Sequence, residues 1–339
     1  MAKKARKNVV VIGGGTGTFT VLTGLKKYPL NLNVIVAMTD SGGSTGTLRD
    51  ELGVLPPGDV ARCLVALSSS DKLMRTLMDY RFENGKLEGF RFGNLLLSAL
   101  EKMTGSFDSA VEKVSDILRI NGRVIPSTLD KVHLMTKVGN DIIKGEEKIQ
   151  MTKLNGSMEY IWLEPVARAN PKALAALRAA DAIIIGPGGH YTSLVTNLLV
   201  RGIPEAIVKS DAKKIFVCNL MTKKEHTQDY SVADYTAEIE KYLGGSVDTV
   251  IFNNKMPSED LLKRYAREGD SVTSWEKVPE GRELVGANLL TGRETSFKKI
   301  GTPNAEASLV RHDSAKLAAA IARILGVRKR RKSPAPKVA

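Results

Sequence analysis

Four branched apolar residues, Val9-Val10-Val11-Ile12, run straight into Gly13-Gly14-Gly15-Thr16-Gly17-Thr18, and this stretch constrains the fold more than any other. An unbroken β-branched run marks a strand covered on both faces, as in a parallel sheet. Glycines directly after it let backbone amides close on an anion, because no Cβ stands in the way. Residues 18–28 then have helix character, and Pro29 stops them. Strand, loop and helix together form a phosphate cradle at a helix N-terminus, where the macrodipole favours negative charge. A plain strand-to-helix turn would carry the same glycines, so the loops further along the chain decide between the two.

The dinucleotide fingerprint is not met, since Thr18 stands where it needs glycine or alanine. A second buried strand over 32–38 ends at Thr39-Asp40, where an acid meets ribose or sugar hydroxyls about 20 residues beyond such a loop. Ser41-Gly42-Gly43-Ser44-Thr45-Gly46-Thr47 comes next, followed by Leu48-Arg49. A linker has no use for so many hydroxyls beside an arginine. A third glycine loop, Gly186-Pro187-Gly188-Gly189-His190-Tyr191-Thr192-Ser193, follows the buried strand 182–185. Loops after the strands of an open α/β sheet gather at the strands' C-terminal ends, where such folds bind ligands.

Between these loops the chain alternates. Asp59 is placed to cap a helix over 60–68, and helices follow over 71–80, 95–103 and 107–120. Asn94 reads equally as the cap of the third of these and as a ligand contact. Residues from about 122 to 165 change character, with short strand-like runs at 132–135, 149–152 and 158–162 separated by turns such as Gly139-Asn140 and Asn155-Gly156. This predicts a small antiparallel β insertion, with His133 structural in it. The alternation resumes with a helix over 171–180, strands at 214–217 and 249–252, and helices over 194–200, 232–242, 257–267 and 315–325. The fold class is therefore α/β: a doubly wound, mostly parallel sheet, Rossmann-like and three-layered, in one domain over 8–326.

Fifty Lys and Arg stand against 37 Asp and Glu, a net charge of +13, which invites a nucleic-acid reading. The distribution opposes it. Lys3, Lys4, Arg6 and Lys7, with Arg328, Lys329, Arg330, Arg331, Lys332 and Lys337, lie in acid-free tails at 1–7 and 327–339 and leave a body of about +3. These tails read as disordered and solvated. Cys63 and Cys218 sit in apolar runs, four scattered histidines have no metal-ligand spacing, and no apolar run is long enough to span a membrane. A cytoplasmic protein with no membrane and no specific nucleic-acid partner is expected.

Several motifs together resemble the gluconeogenesis factor family, the bacterial branch of the 2-phospho-L-lactate transferase superfamily. They are Gly13-Gly14-Gly15-Thr16-Gly17, Ser41-Gly42-Gly43-Ser44, the run from Leu48-Arg49-Asp50-Glu51-Leu52 through Pro56-Pro57-Gly58-Asp59, and Cys63-Leu64-Val65-Ala66-Leu67. Gly93-Asn94-Leu95, Gly186-Pro187-Gly188 with Tyr191-Thr192-Ser193, Cys218-Asn219-Leu220-Met221-Thr222 and Leu309-Val310-Arg311-His312-Asp313 complete the likeness. It implies a nucleotide pocket across the three loops, binding of UDP-sugars such as UDP-N-acetylglucosamine, and a role in cell shape and wall synthesis during gluconeogenic growth; a homo-oligomer such as a dimer is a separate expectation. The chain departs from the family's usual pattern at Asp40-Ser41 (paired acids), Thr47 (arginine), Ala61-Arg62 (Arg-Asn), Gly189-His190 (serine-leucine) and 223–226 (a glycine-containing stretch).

The resulting expectation is a nucleotide-sugar sensor with no required cofactor. Loop amides at Gly13–Thr18 and Gly42–Gly46, and the hydroxyls of Thr16, Thr18, Ser44 and Thr45, would hold the pyrophosphate. Asp40 would accept from a ribose or sugar hydroxyl, and Arg49 or Arg62 would balance phosphate charge. Thr192 and Ser193 serve either the ligand or a helix cap. Asn94, Tyr191, Asn219 and Thr222 complete the expected lining. The alternative is a phospholactate-type transferase with magnesium near Asp40, opposed by the lack of a second acid beside it. His190 and His226 are then weak candidates for proton carriers. A nicotinamide dehydrogenase is disfavoured by the broken fingerprint and the hydroxyl-rich loops.

Overall fold

Val9 and Val11 face one way and Val10 and Ile12 the other, and all four are fully buried in the computed structural model, which describes residues 5–152, 160–224, 226–291 and 310–329. Their strand, β1 (Lys7–Gly13), lies inside a seven-stranded sheet with β2 (Leu30–Val36) and β3 (Arg123–Pro126) on one side. On the other side lie β7 (Ala182–Ile185), β8 (Lys213–Val217), β9 (Thr249–Asn253) and β10 (Glu283–Ala287). Every neighbouring pair is parallel, so each strand needs a crossover and every strand end points the same way. Winding runs outward from β1 through β2 to β3 and then returns to β7 on its other flank. The order thus reverses beside β1, and the first and third glycine loops flank that crevice.

Helices cover both faces. On the Val9/Val11 side lie α1 (Thr16–Leu25), α2 (Gly43–Leu52), α3 (Gly58–Leu67), α4 (Lys72–Asp79), α5 (Phe92–Thr104) and α6 (Phe107–Ile117), and α13 (Ser314–Ile324) packs on α1. The Val10/Ile12 side is covered by α8 (Pro171–Arg178), the short α9 (Thr196–Leu198), α10 (Ile203–Val208) and α11 (Val232–Leu243). A further helix, α12 (Glu259–Glu268), brings Tyr265 to the first cluster. Burying one such valine or isoleucine contributes roughly 1.5–3 kcal/mol, so these clusters supply most of the drive to fold.

The insertion is a three-stranded antiparallel sheet in the order β5-β4-β6, from β4 (His133–Val138), β5 (Asp141–Lys144) and β6 (Tyr160–Glu164), with the expected turn at Gly139-Asn140. Two local expectations change. Residues 149–152, read as a strand, fall at the end of a helix, α7 (Glu146–Met151), because Ile149 is the position that buries. Residues 123–126 belong to the main sheet as its edge strand β3, so the insertion begins after them. Leu134, Ile149, Ile161 and Leu163 join the same buried cluster as Val10 and Ile12, which fixes the insertion against the sheet. The turn expected at Asn155-Gly156, the residues at 1–4 and 330–339 of the tails, and Leu309 lie outside the described residues.

Candidate functional site

The helix of the first loop starts at Thr16 and not at Thr18, so only Gly13 to Gly15 form the bend. Bulk is excluded there. A Cβ on Gly14 would sit 2.5 Å from Ser193 Oγ and 2.6 Å from Asp59 Oδ2, and one on Gly17 would strike the carbonyl of Pro187. Asn197 donates to the Gly13 carbonyl at 3.0 Å and to the Ser193 carbonyl at 2.6 Å, tying the first loop to the third. Cys63 lies beneath, its thiol 3.8 Å from the Gly14 carbonyl and held neutral by burial. Thr18 is wholly buried under Gly13.

The second loop is shorter than expected, because α2 begins at Gly43 and places Ser44, Thr45 and Thr47 in its first turns. Asp40 binds its own loop through the Gly42 amide at 3.0 Å and the hydroxyl of Thr45. Arg49 is engaged by backbone carbonyls. It donates to the carbonyls of Asp40 at 3.0 Å and Val132 at 2.8 Å, strapping the loop to the insertion, with His133 alongside. The start of α7 completes that joint: Glu147 donates its amide to Ser41 Oγ at 3.1 Å and accepts from the Gly43 amide at 3.3 Å.

The third loop opens directly into a wide π-helical turn over His190–Val195, so neither Thr192 nor Ser193 is a cap; that position is Gly189. Thr192 bonds Glu146 and Ser193 faces Gly14, which puts both on the cleft. Tyr191 points the other way, its hydroxyl 3.2 Å from Tyr230. His190 is buried against Tyr191, Tyr230 and Tyr235, and burial drives its pKa down to about 3, leaving a neutral ring without a titratable role. Asn219 is committed to Gly188, donating to its carbonyl at 3.0 Å, and the Thr222 hydroxyl to Ser271 Oγ at 2.8 Å. Gly186 lies lower, against the Val217 carbonyl. Asn94 is inside the first turn of α5, whose cap is Arg91, and its Oδ1 is buried without a partner among the described residues.

Two clusters emerge that no local pattern showed. On one side Asp59 and Glu146 join Asp40. Asp59 does not cap α3; it stands in the first turn, with Pro57 at the cap, and its carboxylate lies against Gly14 and Gly15. Burial, and then the charge of Asp40, push Asp59 up to about 7. Burial followed by Asp40 and Asp59 push Glu146 up to about 8, and burial raises Asp40. On the other side Arg62 donates to Thr16 Oγ1 at 2.5 Å and its stem touches Gly15. Around it stand Arg81, Arg91 and Arg311, each with a pKa lowered first by burial and next by Arg62; Arg91 falls to about 10. Arg81 and Arg91 face each other across an antiparallel bridge, and Arg91 Nε is buried without a partner among the described residues. The one sequence trace of this pair is the repeated Arg-Phe at Arg81-Phe82 and Arg91-Phe92.

Residues 9–290 match the family described as 2-phospho-L-lactate transferase CofD. The chain belongs to this family. Among its curated relatives are proteins described as gluconeogenesis factors or putative gluconeogenesis factors. It is 42% identical to a putative gluconeogenesis factor of Thermotoga maritima over 320 residues, covering 93% of this chain and 98% of that one. The gluconeogenesis factor of Bacillus subtilis is 32% identical, with 94% and 98% covered. A crystal structure of a UPF0052 family member from Bacillus halodurans superposes with a TM-score of 0.84 at 35% identity, covering 94% of this chain and 99% of that one. The CofD fold is thus the one built above, with its cleft at the reversal of strand order. Among the described residues no helix is long and apolar enough to cross a membrane.

Proposed function

We propose that the chain binds a nucleotide sugar of the UDP-N-acetylglucosamine kind and acts as a regulatory sensor of it. The observation that carries this reading is Arg62, laid against the first glycine loop at the head of three further guanidiniums. Like charges gathered at a helix N-terminus are relieved by a diphosphate, whose oxygens match guanidinium forks. The carboxyl side, Asp40, Asp59 and Glu146, accepts sugar hydroxyls in the same cleft. The family resemblance extends the proposal to a cytoplasmic dimer that supports cell shape and wall synthesis on gluconeogenic carbon.

One observation favours a second reading, a transferase with magnesium. Asp40 has two acid neighbours in space, the feature its sequence surroundings lacked. Holding the ion there would require Asp40, Asp59 and Glu146 to move together. As the side chains lie, no three His, Cys, Asp or Glu among the described residues stand close enough to hold one.

Calorimetric titration of UDP-N-acetylglucosamine, UDP-glucose, GDP and NAD, with and without magnesium, separates the two. UDP-sugar binding that ignores magnesium and is lost in Arg62→Ala is the expected result. Magnesium-dependent GDP binding with silent UDP-sugars would overturn the sensor in favour of the transferase.

A further inference from the structure

Away from the glycine loops, α1, α3 and α4 enclose an open cleft of about 380 Å³. Its lining follows helical spacing. Phe19, Thr23 and Lys26 form one face of α1; Lys72, Arg75, Thr76 and Asp79 form one face of α4; Val65 and Ala66 of α3 make the floor.

The arrangement of α4 is the unusual part. Met74 and Met78 turn to the core, while Leu73, Leu77 and Tyr80 are left exposed. A helix needed only for cover would bury those leucines. Instead its charged face is set over an apolar floor. Lys26 is fixed there by the carbonyls of Ala66 at 2.7 Å and Ser68 at 3.3 Å, a standing positive charge at the end of α3. Among the described residues Lys72 and Arg75 have no ion-pair partner, whereas Asp79, the lone acid of the lining, is paired with Arg91 at 3.8 Å. The Thr23 hydroxyl is buried in the same wall without a hydrogen-bond partner among the described residues. Three cations, a spare hydroxyl, an apolar floor and the Phe19 ring are the complement of an anion that carries an apolar body.

We infer that this cleft is a second ligand site, taking a small organic anion with an apolar group of about ring size, separate from the nucleotide cleft. The inference does not rest on the nucleotide-sugar reading, since the two sites share no lining residue.

The test uses the full chain with phenyl phosphate as probe and inorganic phosphate as comparison, by calorimetry and ligand-observed NMR. Two classes of phenyl phosphate site are expected. Charge reversal in Lys72→Glu/Arg75→Glu should weaken one class at least tenfold, and Arg62→Ala should weaken only the other. In the α1–α4 class phenyl phosphate should bind roughly fivefold tighter than inorganic phosphate, from ring burial on Phe19 and Val65. Thr23→Val, which keeps the side-chain shape, should weaken that class a few-fold without changing the melting temperature. Binding unaltered by Lys72→Glu/Arg75→Glu, or reduced equally by Lys209→Glu/Lys263→Glu outside the cleft, would overturn the inference.

Discussion

The two sides of the glycine-loop cleft answer charge crowding in opposite ways. On the arginine side Arg62, Arg81, Arg91 and Arg311 repel one another, yet even Arg91, at about 10, stays charged at any physiological pH. On the carboxyl side Asp59, at about 7, and Glu146, at about 8, relieve their repulsion by keeping a proton. The arginine side therefore keeps its charge across physiological pH, whereas the carboxyl side changes charge within it.

The comparison breaks most readily at Arg62. Arg62→Ala should cost about 100-fold in affinity for a diphosphate ligand, the loss of a charge-assisted contact worth roughly 2–3 kcal/mol, and calorimetry reads it directly. An unchanged affinity would show that the arginine side is not where phosphate lies. A pH series sharpens the contrast. Above about pH 7, where its terminal phosphate is ionised, UDP should bind with a flat profile to pH 8.5, while a UDP-sugar should tighten by about fivefold to tenfold as Asp59 and Glu146 ionise and become hydroxyl acceptors. Glu146→Gln should flatten the second curve, and parallel curves for both ligands would remove the carboxyl side from sugar recognition.

A smaller effect falls on stability. Because these carboxyls hold protons in the folded state that the unfolded chain has lost, their contribution declines as pH rises from about 4 through 7 to 8. Glu146→Gln should therefore raise the melting temperature by about 2 °C at pH 8.5 and leave it unchanged at pH 4. The smallest change is expected at Arg49→Ala, which frees the insertion from the second loop at a cost of about 1 kcal/mol. Faster hydrogen exchange at residues 132–149, with phosphate affinity nearly kept, would confirm that Arg49 is a strap and not a phosphate ligand.

Much of this molecule was legible in order along the chain, because strand–loop–helix units announce themselves locally. β7 falls at 182–185 as read, and the glycine loops converge as their positions after parallel strands require. What hid was whatever depends on distant residues meeting. Asp59 has the local look of a cap, yet Pro57 precedes the helix by one more turn position and leaves its carboxylate for the loop. Glu146 sat in a glycine-bounded turn of a region read as strands, and only the burial of Ile149 makes that segment helical. Arg81, Arg91 and Arg311 look like ordinary surface cations until the folded chain stacks them beside Arg62. Thr192 and Ser193 were rightly placed at the start of a helix, but the wide first turn replaces capping with exposure to the cleft.

The bond from Asn197 to the Gly13 carbonyl joins residues 184 positions apart. During synthesis β1 leaves the ribosome early but lacks its β7 neighbour until more than half of the chain has followed. A nascent chain stopped before β7 therefore has an open sheet edge beside its glycine loop, which also lacks the bond from Asn197. The first glycine loop therefore reaches its final support only after translation has passed the third loop.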